Sequence, residues 1–458
     1  MRIGLFTDSY HPASNGVVVV VDSLRRELEA AGHEVYIFAP DASVAPRIVK
    51  LETRLRHKME QKIPDALAKY VKLSTRQSIR VMPTDPHIIR LPAFQYDMQL
   101  SLFFPPRVMQ TIRDLKLDVI QFFTPGQLGL MASYAARKTG AVLIGQHSTD
   151  VYGFSKAYPG IVLGCFLGGF FAPIIHKMSL HERRDFTKLY FSRRRFESDE
   201  KWGQRLVAGF TAVLYAGCDG VVAVSSKSAD QLQQFARRID EKLTLRVIPT
   251  GVNAIERPKD FDKKLSDFRT KFSIAKDDEV ILNFGRMAEE KNLPLLITVL
   301  EYLVKTRPKI KLLFAGDYLF RDQLEALAQR SPVADRIVFV GRYKRQDLPI
   351  ICAVAKIFVF PSLTDTQALV LNEAAGQHLP IVMIDQNINE VFHNNENGLL
   401  ARNSARDFAK KCEQILNDEK LRQNFAQKSG ELAGQFYEKD QTAKLIHFYR
   451  ELLRTPLK

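Results

Sequence analysis

Residues 2–40 read RIGLFTDSYHPASNGVVVVVDSLRRELEAAGHEVYIFAP. A short apolar run gives way to a polar loop carrying Pro and Gly, then to a stretch with helical spacing, then to a second apolar run. Strand, loop, helix, strand is the pattern of a parallel βαβ unit. Working outward, the alternation returns in LDVIQFF, an apolar helix reaching Lys138 and AVLIGQHS, and again at DGVVAVSS. It restarts past the middle of the chain with EVILNFGR, a helix from Leu293, KIKLLFAG, RIVFVG, KIFVFPS and PIVMID. Strands covered on both faces read as continuous apolar runs of this kind. The expectation is an α/β chain of two successive doubly wound, Rossmann-like domains. Residues 1–248 form the first and 249–435 the second, with the break at the turn IPTGVNAIERPKD and a helix over 436–458 packing back on the first.

Composition agrees with this frame. With 458 residues, 46% hydrophobic and 26% charged, the chain is long enough for two cores. Cys165, Cys218, Cys352 and Cys412 are scattered, without C-x-x-C pairs or His at metal-ligand spacing, which points to a reducing compartment and no structural zinc. The opening MRIGLFTDSYHP has the features of neither a signal nor a transit peptide, so a cytosolic location is expected. A net charge of +15 calls for an anionic partner: nucleic acid, a membrane surface or a phosphorylated substrate. No G-x-G-x-x-G follows a strand and no P-loop is present. Helix-turn-helix, RNP-type and zinc-finger patterns are also missing, which argues against nucleic acid.

Open parallel sheets bind ligands beyond the carboxyl ends of their strands, so the loops there carry the chemistry. After KIFVF comes PSLTDTQALVLNEAAGQ, residues 361–377, read as a loop entering a helix near Thr366. A helix start offers unpaired N–H groups and a positive dipole end to an anionic diphosphate. Thr366 and Gln367 add side-chain donors, and Leu369 and Val370 lie on the same helix start. Eight residues at 1.5 Å each put Asp365 and Glu373 roughly 12 Å apart on nearly one side of a helix, flanking a gap the size of a nucleotide-sugar. A carboxylate accepts two hydroxyls, so one can hold a ribose diol and the other sugar hydroxyls. After EVILNF, GRMAEEKN places Arg286 and Lys291 around a turn, two cations suited to a diphosphate.

These stretches resemble the GT-B-fold, retaining glycosyltransferases of family 4. FGRMAEEKN is similar to that family's G-R-x-x-x-E-K segment, AGDY to its A-G-x-G, and VFPSLTDTQALVLNEAAG to its P-S-x-x-E-x-x-G-L-x-x-x-E-A. FTDSYHPASNGV resembles its first-domain glycine loop, and HEVYIFAP, PGQLG, GQHSTD and VIPTGVN match their counterparts in order. The resemblance implies two domains facing across a cleft, with Glu373 on the ribose, Asp365 on the transferred sugar, and Arg286 and Lys291 on the diphosphate. Asn15 and Gly16 then form the loop that lets phosphates and acceptor approach, His147 lies beside the transferred sugar, and Asp150 is its acceptor-side neighbour. No metal or other cofactor is implied. Ala368 and Tyr318 depart from the family pattern where it usually has Gly, which is expected to narrow the donor loops.

The wording TDTQALVLNEA is similar to members that glucosylate diacylglycerol from UDP-glucose. Two stretches outside the α/β rhythm bear on this, residues 41–110 and an insertion over about 157–210. Ile161–Ile175 is apolar but too short to span a bilayer, and it precedes a basic, aromatic-rich segment with Arg183, Arg184, Lys188, Arg193, Arg194 and Arg195. Such a segment suits an anionic membrane surface. The expected protein is therefore a hexosyltransferase acting on a lipid at the inner face of the cell membrane, with a UDP-sugar donor. The alternative keeps the family but changes the acceptor to a polyprenyl or phosphatidylinositol-type lipid or a soluble sugar, with GDP-mannose as donor.

Overall fold

The computed structural model describes residues 1–11, 16–41, 85–92, 94–95, 99–100, 106–155, 161–166, 168–169, 187 and 201–455. These divide into two compact units. One comprises Met1–Val224, Ser228–Ile248 and Thr442–Lys458; the other comprises Ser225–Lys227 and Pro249–Gln441.

The first unit is built on seven parallel strands: β1 (Arg2–Phe6), β2 (Glu34–Asp41), β3 (Ile88–Pro92), β4 (Val119–Phe122), β5 (Val142–His147), β6 (Gly220–Ala223) and β7 (Leu245–Val247), in the order β3-β2-β1-β4-β5-β6-β7. The order reverses between β1 and β4, which makes a crevice beyond their carboxyl ends. Helix Gly16–Ala30 returns the chain from β1 to β2 and buries Val18, Val21, Leu24 and Leu28, a stripe at helical spacing that faces the sheet. Helix Gln127–Thr139 stops where Gly140 takes a φ of 74° and its N–H bonds the Ala136 carbonyl, a left-handed cap that favours glycine.

Helix Trp202–Ala216 overlaps the end of the insertion expected over about 157–210. Its Leu206, Val207, Phe210, Val213, Leu214 and Tyr215 lie in the main core of this unit, and even Arg205 is buried, so this part of the segment extends the scaffold of the first domain. The start of the apolar run likewise packs inward through Ile161 and Cys165, although Leu163 is 59% exposed. Arg183, Arg184, Lys188, Arg193, Arg194 and Arg195 lie outside the described residues. No helix among the described residues is long and apolar enough to cross a membrane.

The second unit carries β8 (Glu279–Phe284), β9 (Ile310–Ala315), β10 (Ile337–Gly341), β11 (Ile357–Phe360), β12 (Ile381–Met383) and β13 (Gly398–Leu400), all parallel, in the order β10-β9-β8-β11-β12-β13. Its cores lie on both faces, one around Leu296, Leu300, Phe314 and Phe408, the other around Leu282, Phe358, Leu371 and Met383. Reversal of strand order falls between β8 and β11. The edge strands β3, β7 and β13 escaped the sequence reading because three to five residues beside Pro or Gly leave too little periodicity to detect.

Helix Glu438–Arg454 closes the chain, and from Thr442 on it groups with the first unit. Gly220 in β6 lies against its Phe448 and Leu452, where a side chain would come within 2.5 Å of Leu452.

Candidate active site

At the second unit's crevice, backbone geometry comes first. The chain leaves β8 through Gly285 (φ 133°) and leaves β9 through Gly316 (φ 147°). A Cβ on Gly316 would lie 1.9 Å from the Gly285 carbonyl oxygen, so only glycine lets these two turns meet. The side chain of Val370 comes within 3.3 Å of where a Cβ on Gly285 would sit, which sets the start of helix Leu369–Gly376 beside the β8 turn.

The cations expected on that turn are both present and both engaged. The Arg286 guanidinium donates to Glu290 Oε1 at 2.8 Å and lies 4.8 Å over the ring of Tyr318. Tyr318, which departs from the family's Gly, thus gives Arg286 an aromatic platform. Lys291 Nζ donates to Asp365 Oδ1 at 2.5 Å, and the Ser362 hydroxyl donates to the other oxygen at 2.5 Å. Burial opposes ionisation of Asp365, but Lys291, Ser362 and the charge of Lys227 outweigh it and hold its pKa below the usual carboxylate value.

The loop carrying Asp365 corrects one expectation. The helix begins at Leu369, not near Thr366, because Ala368 adopts the left-handed conformation (φ 61°, ψ 71°). Asp365 therefore lies on a loop and Glu373 on the helix, rather than both on one helical face. The Gln367 amide accepts from Thr250 N–H and donates to Thr250 O, both at 2.8 Å, pinning the loop to the IPTGVN turn. The Thr366 carbonyl accepts from the Ser225 hydroxyl. Lys227 Nζ reaches the Leu363 carbonyl at 2.8 Å and the buried Asp385 carboxylate at 2.5 Å, and Ser226 N–H donates to Glu390 at 2.7 Å.

Glu373 is mostly buried on the second turn of its helix and accepts from Arg345 Nε at 2.9 Å. Burial pushes its pKa up and Arg345 pulls it back only in part, so the carboxyl stays above its ordinary value. Beside it the Asn372 amide is buried without a hydrogen-bond partner among the described residues and lines a cleft with Asn253, Gln377, His378 and Tyr437.

In the first unit, Gly16 opens its helix with free space where a side chain would be, and Asn15 lies outside the described residues. His147, at the end of β5, is 1% exposed, and both its ring nitrogens are used. The Gln231 amide donates to Asp150 Oδ1 at 2.9 Å, which turns its carbonyl toward His147 Nε2 at 3.0 Å. His147 must then donate from Nε2. Nδ1 lies 3.3 Å from the Tyr215 hydroxyl, whose one proton also points at the Gln146 carbonyl at 3.2 Å. Burial lowers the His147 pKa, in agreement with a neutral ring. In the free protein the His147 ring is thus held by Gln231 on one side and Tyr215 on the other. Asp150 caps helix Val151–Phe154 through Gly153 N–H at 2.9 Å, so both its tasks lie within the protein.

With this geometry in view, the comparisons with known proteins are direct. Residues 14–255, more than half of the chain, match the family model Glycosyltransferase Family 4, and residues 266–431 match Glycosyl transferases group 1. The chain belongs to Glycosyltransferase Family 4. It is 24% identical over 388 residues to an alpha-monoglucosyldiacylglycerol synthase of Streptococcus pneumoniae, covering 83% of this chain and 70% of that one. A protein of the same name from Acholeplasma laidlawii is 22% identical over 407 residues, covering 87% and 84%. Among solved structures, HepE of Anabaena in complex with UDP aligns with a TM-score of 0.64 over 98% of this chain and all of that one, at 15% identity. Sucrose-phosphate synthase of Thermosynechococcus elongatus aligns with a TM-score of 0.64 over 98% of both, at 17% identity. The fold is GT-B and the protein is a glycosyltransferase.

Several residues that shape these crevices in this family 4 enzyme escaped the sequence reading. Arg345 stands in the turn GRYKRQDL, noticed only as a polar rim, and its pairing with Glu373 depends on β10 ending beside that helix. Lys227 follows DGVVAVSS, a strand of the first half, yet serves the loop of Asp365. Asp8, at the end of β1, accepts from the Thr124 hydroxyl and from Leu128 N–H at 3.0 Å, tying the two strands that flank the first crevice. A carboxylate directly after a buried strand was the available signal for it.

Proposed function

We propose that this family 4 enzyme transfers glucose from UDP-glucose to 1,2-diacylglycerol with retention of configuration, giving an α-glucosyl-diacylglycerol at a membrane surface. The observation that carries the donor half is the gathering of Arg286, Lys291, Asp365, the helix start at Leu369 and Val370, and Glu373 around one crevice. In this reading Glu373 accepts the ribose hydroxyls, and the helix N–H groups hold the diphosphate together with Arg286 and Lys291. Asp365, kept ionised by Lys291, takes hydroxyls of the transferred sugar. The bond from the sugar's anomeric carbon to the diphosphate breaks while the acceptor oxygen bonds to the same face, and the acceptor's proton passes to the departing phosphate oxygen. The protein's part is positioning and charge stabilisation, without a side-chain base and without a metal.

The acceptor is supported by the two relatives named as glucosyldiacylglycerol synthases, each matched over more than four-fifths of this chain. The basic segment around Arg183–Arg195 and the net charge of +15 suit anionic headgroups on the inner face of the membrane. A second reading, a mannosyl donor with another acceptor, is favoured by a GDP-mannose-dependent alpha-mannosyltransferase of Mycolicibacterium smegmatis, 24% identical over 84% of this chain. Scanning fluorimetry with UDP and GDP, followed by transfer to diacylglycerol in vesicles, separates the two. A ligand of the native state raises its melting temperature by mass action. Stabilisation by GDP alone, or UDP stabilisation without lipid glucosylation, overturns the first reading.

A further inference from the structure

Inside the first unit, a polar chain runs through the core. Tyr449, on the closing helix, is fully buried and its hydroxyl donates to Gln121 Oε1. Gln121 is fully buried in β4 between Ile120 and Phe122, and its amide donates to Gln146 Oε1 at 2.7 Å. Gln146, at the end of β5, donates in turn to the Ser148 hydroxyl at 3.0 Å, while its own carbonyl accepts from Tyr215 at 3.2 Å. Each amide is oriented by the one before it, because a side-chain amide that receives on its oxygen must donate from its nitrogen. An apolar residue would serve β4 equally well at position 121, and buried polar networks are costly unless each member is satisfied. Such breaches of the local pattern concentrate at functional sites.

We propose that Tyr449 and Gln121 are positioning residues for glycosyl transfer, acting through Gln146 to fix the Gln146–Asp150 loop at the carboxyl end of β5, the strand next to β4 at the first crevice. That loop is held on its far side by Gln231, which bonds both His147 and Asp150. The Tyr449 chain therefore supplies the second of two anchors, one on each flank of the loop. Neither residue is a catalytic residue in this assignment. The inference rests on the glycosyltransferase reading only for its activity arm.

The test uses the full chain with Tyr449→Phe and Gln121→Met, which cut the chain at two different links while keeping shape, and the double variant. Hydrogen–deuterium exchange of peptides across 142–155 reads the loop without any substrate. Each single variant should speed exchange there by roughly tenfold, as loss of a local anchor lowers the opening free energy, while peptides across 281–315 stay unchanged. The transfer rate constant should fall by about tenfold or more, since small misplacements far from the chemistry are costly, with UDP affinity within about twofold of wild type. The double variant should be no worse than the poorer single one, as members of one chain are non-additive. A lowered melting temperature with wild-type loop exchange and turnover overturns the proposal, as do additive losses in the double variant. Should the wild type glucosylate no diacylglycerol, the functional reading fails, and loop exchange still decides this one.

Discussion

Replacing Glu373 with Ala separates binding from stability. In the free protein Glu373 is 14% exposed and gives Oε1 to Arg345 at 2.9 Å, which leaves Oε2 to accept from a ribose hydroxyl. One hydrogen bond to a charged acceptor contributes roughly 1.5–3 kcal/mol, so UDP affinity should fall by about 10- to 150-fold. Stability should move the other way or not at all. Burial raises the pKa of Glu373, which means the folded protein holds this charge against a desolvation cost at neutral pH, and Ala removes that cost at a helical position it favours. The exposed part of Arg345 can be solvated once its partner is gone. Isothermal titration with UDP and a thermal melt at pH 7 give both numbers. Wild-type UDP affinity would sink the ribose assignment. A melting midpoint lowered by several degrees would show that the Arg345 pair supports the fold more than its buried carboxylate strains it.

Lys291→Met should cost roughly 3 kcal/mol or more of unfolding free energy, because it strands the buried Asp365 charge, and Lys291→Met with Asp365→Asn should restore most of it; equal melts for the single and double variants would contradict this. The native pKa of Asp365 lies below 3.8, so its ionised form stabilises the fold above that pH, and the contribution disappears as pH falls through the lowered value. The stability difference between wild type and Asp365→Asn should therefore be flat down to about pH 5 and shrink below pH 4; a difference that persists unchanged to pH 2 speaks against it. Ala368→Gly should gain roughly 1 kcal/mol in a thermal melt, since only glycine takes the left-handed conformation without cost, and a loss would refute the strain assigned there. Transfer should survive EDTA, because Arg286, Lys291 and the helix start neutralise the diphosphate; activity abolished by EDTA and returned by magnesium would overturn that role. Changing Arg183, Arg184, Lys188, Arg193, Arg194 and Arg195 to Gln should abolish binding to anionic liposomes at about 0.1 M salt and leave UDP binding intact; lipid glucosylation at the wild-type rate would remove the membrane role.

What sequence reasoning reached and what it missed divide along physical lines. Long buried strands such as Glu279–Phe284 and Val142–His147 announce themselves because both faces are covered, and the loops beyond them carry Arg286, Lys291 and Asp365 at the crevice. The helix start was misplaced by three residues because a single Ala in a left-handed conformation breaks a pattern that composition suggests is continuous. The internal hydrogen bonds of Gln367 and His147 were not legible, because residue type shows hydrogen-bonding capacity and not how it is spent. The partnership of Tyr449 with Gln121 spans 328 positions, and nothing local to either residue signals it.

The division of the chain has a consequence for anyone who would cut it. Ser225–Lys227 group with the second unit and Thr442–Lys458 with the first, so neither compact body is a continuous stretch of sequence. A fragment beginning at Pro249 loses Lys227 and leaves the Asp385 carboxylate, 2% exposed, without its cation. A fragment ending at Ile248 loses Tyr449 and leaves Gln121 Oε1 without its donor in the core. Split at its apparent midpoint, the protein should yield two insoluble pieces, each of which recovers only when supplied with the short segment that the other half of the gene encodes.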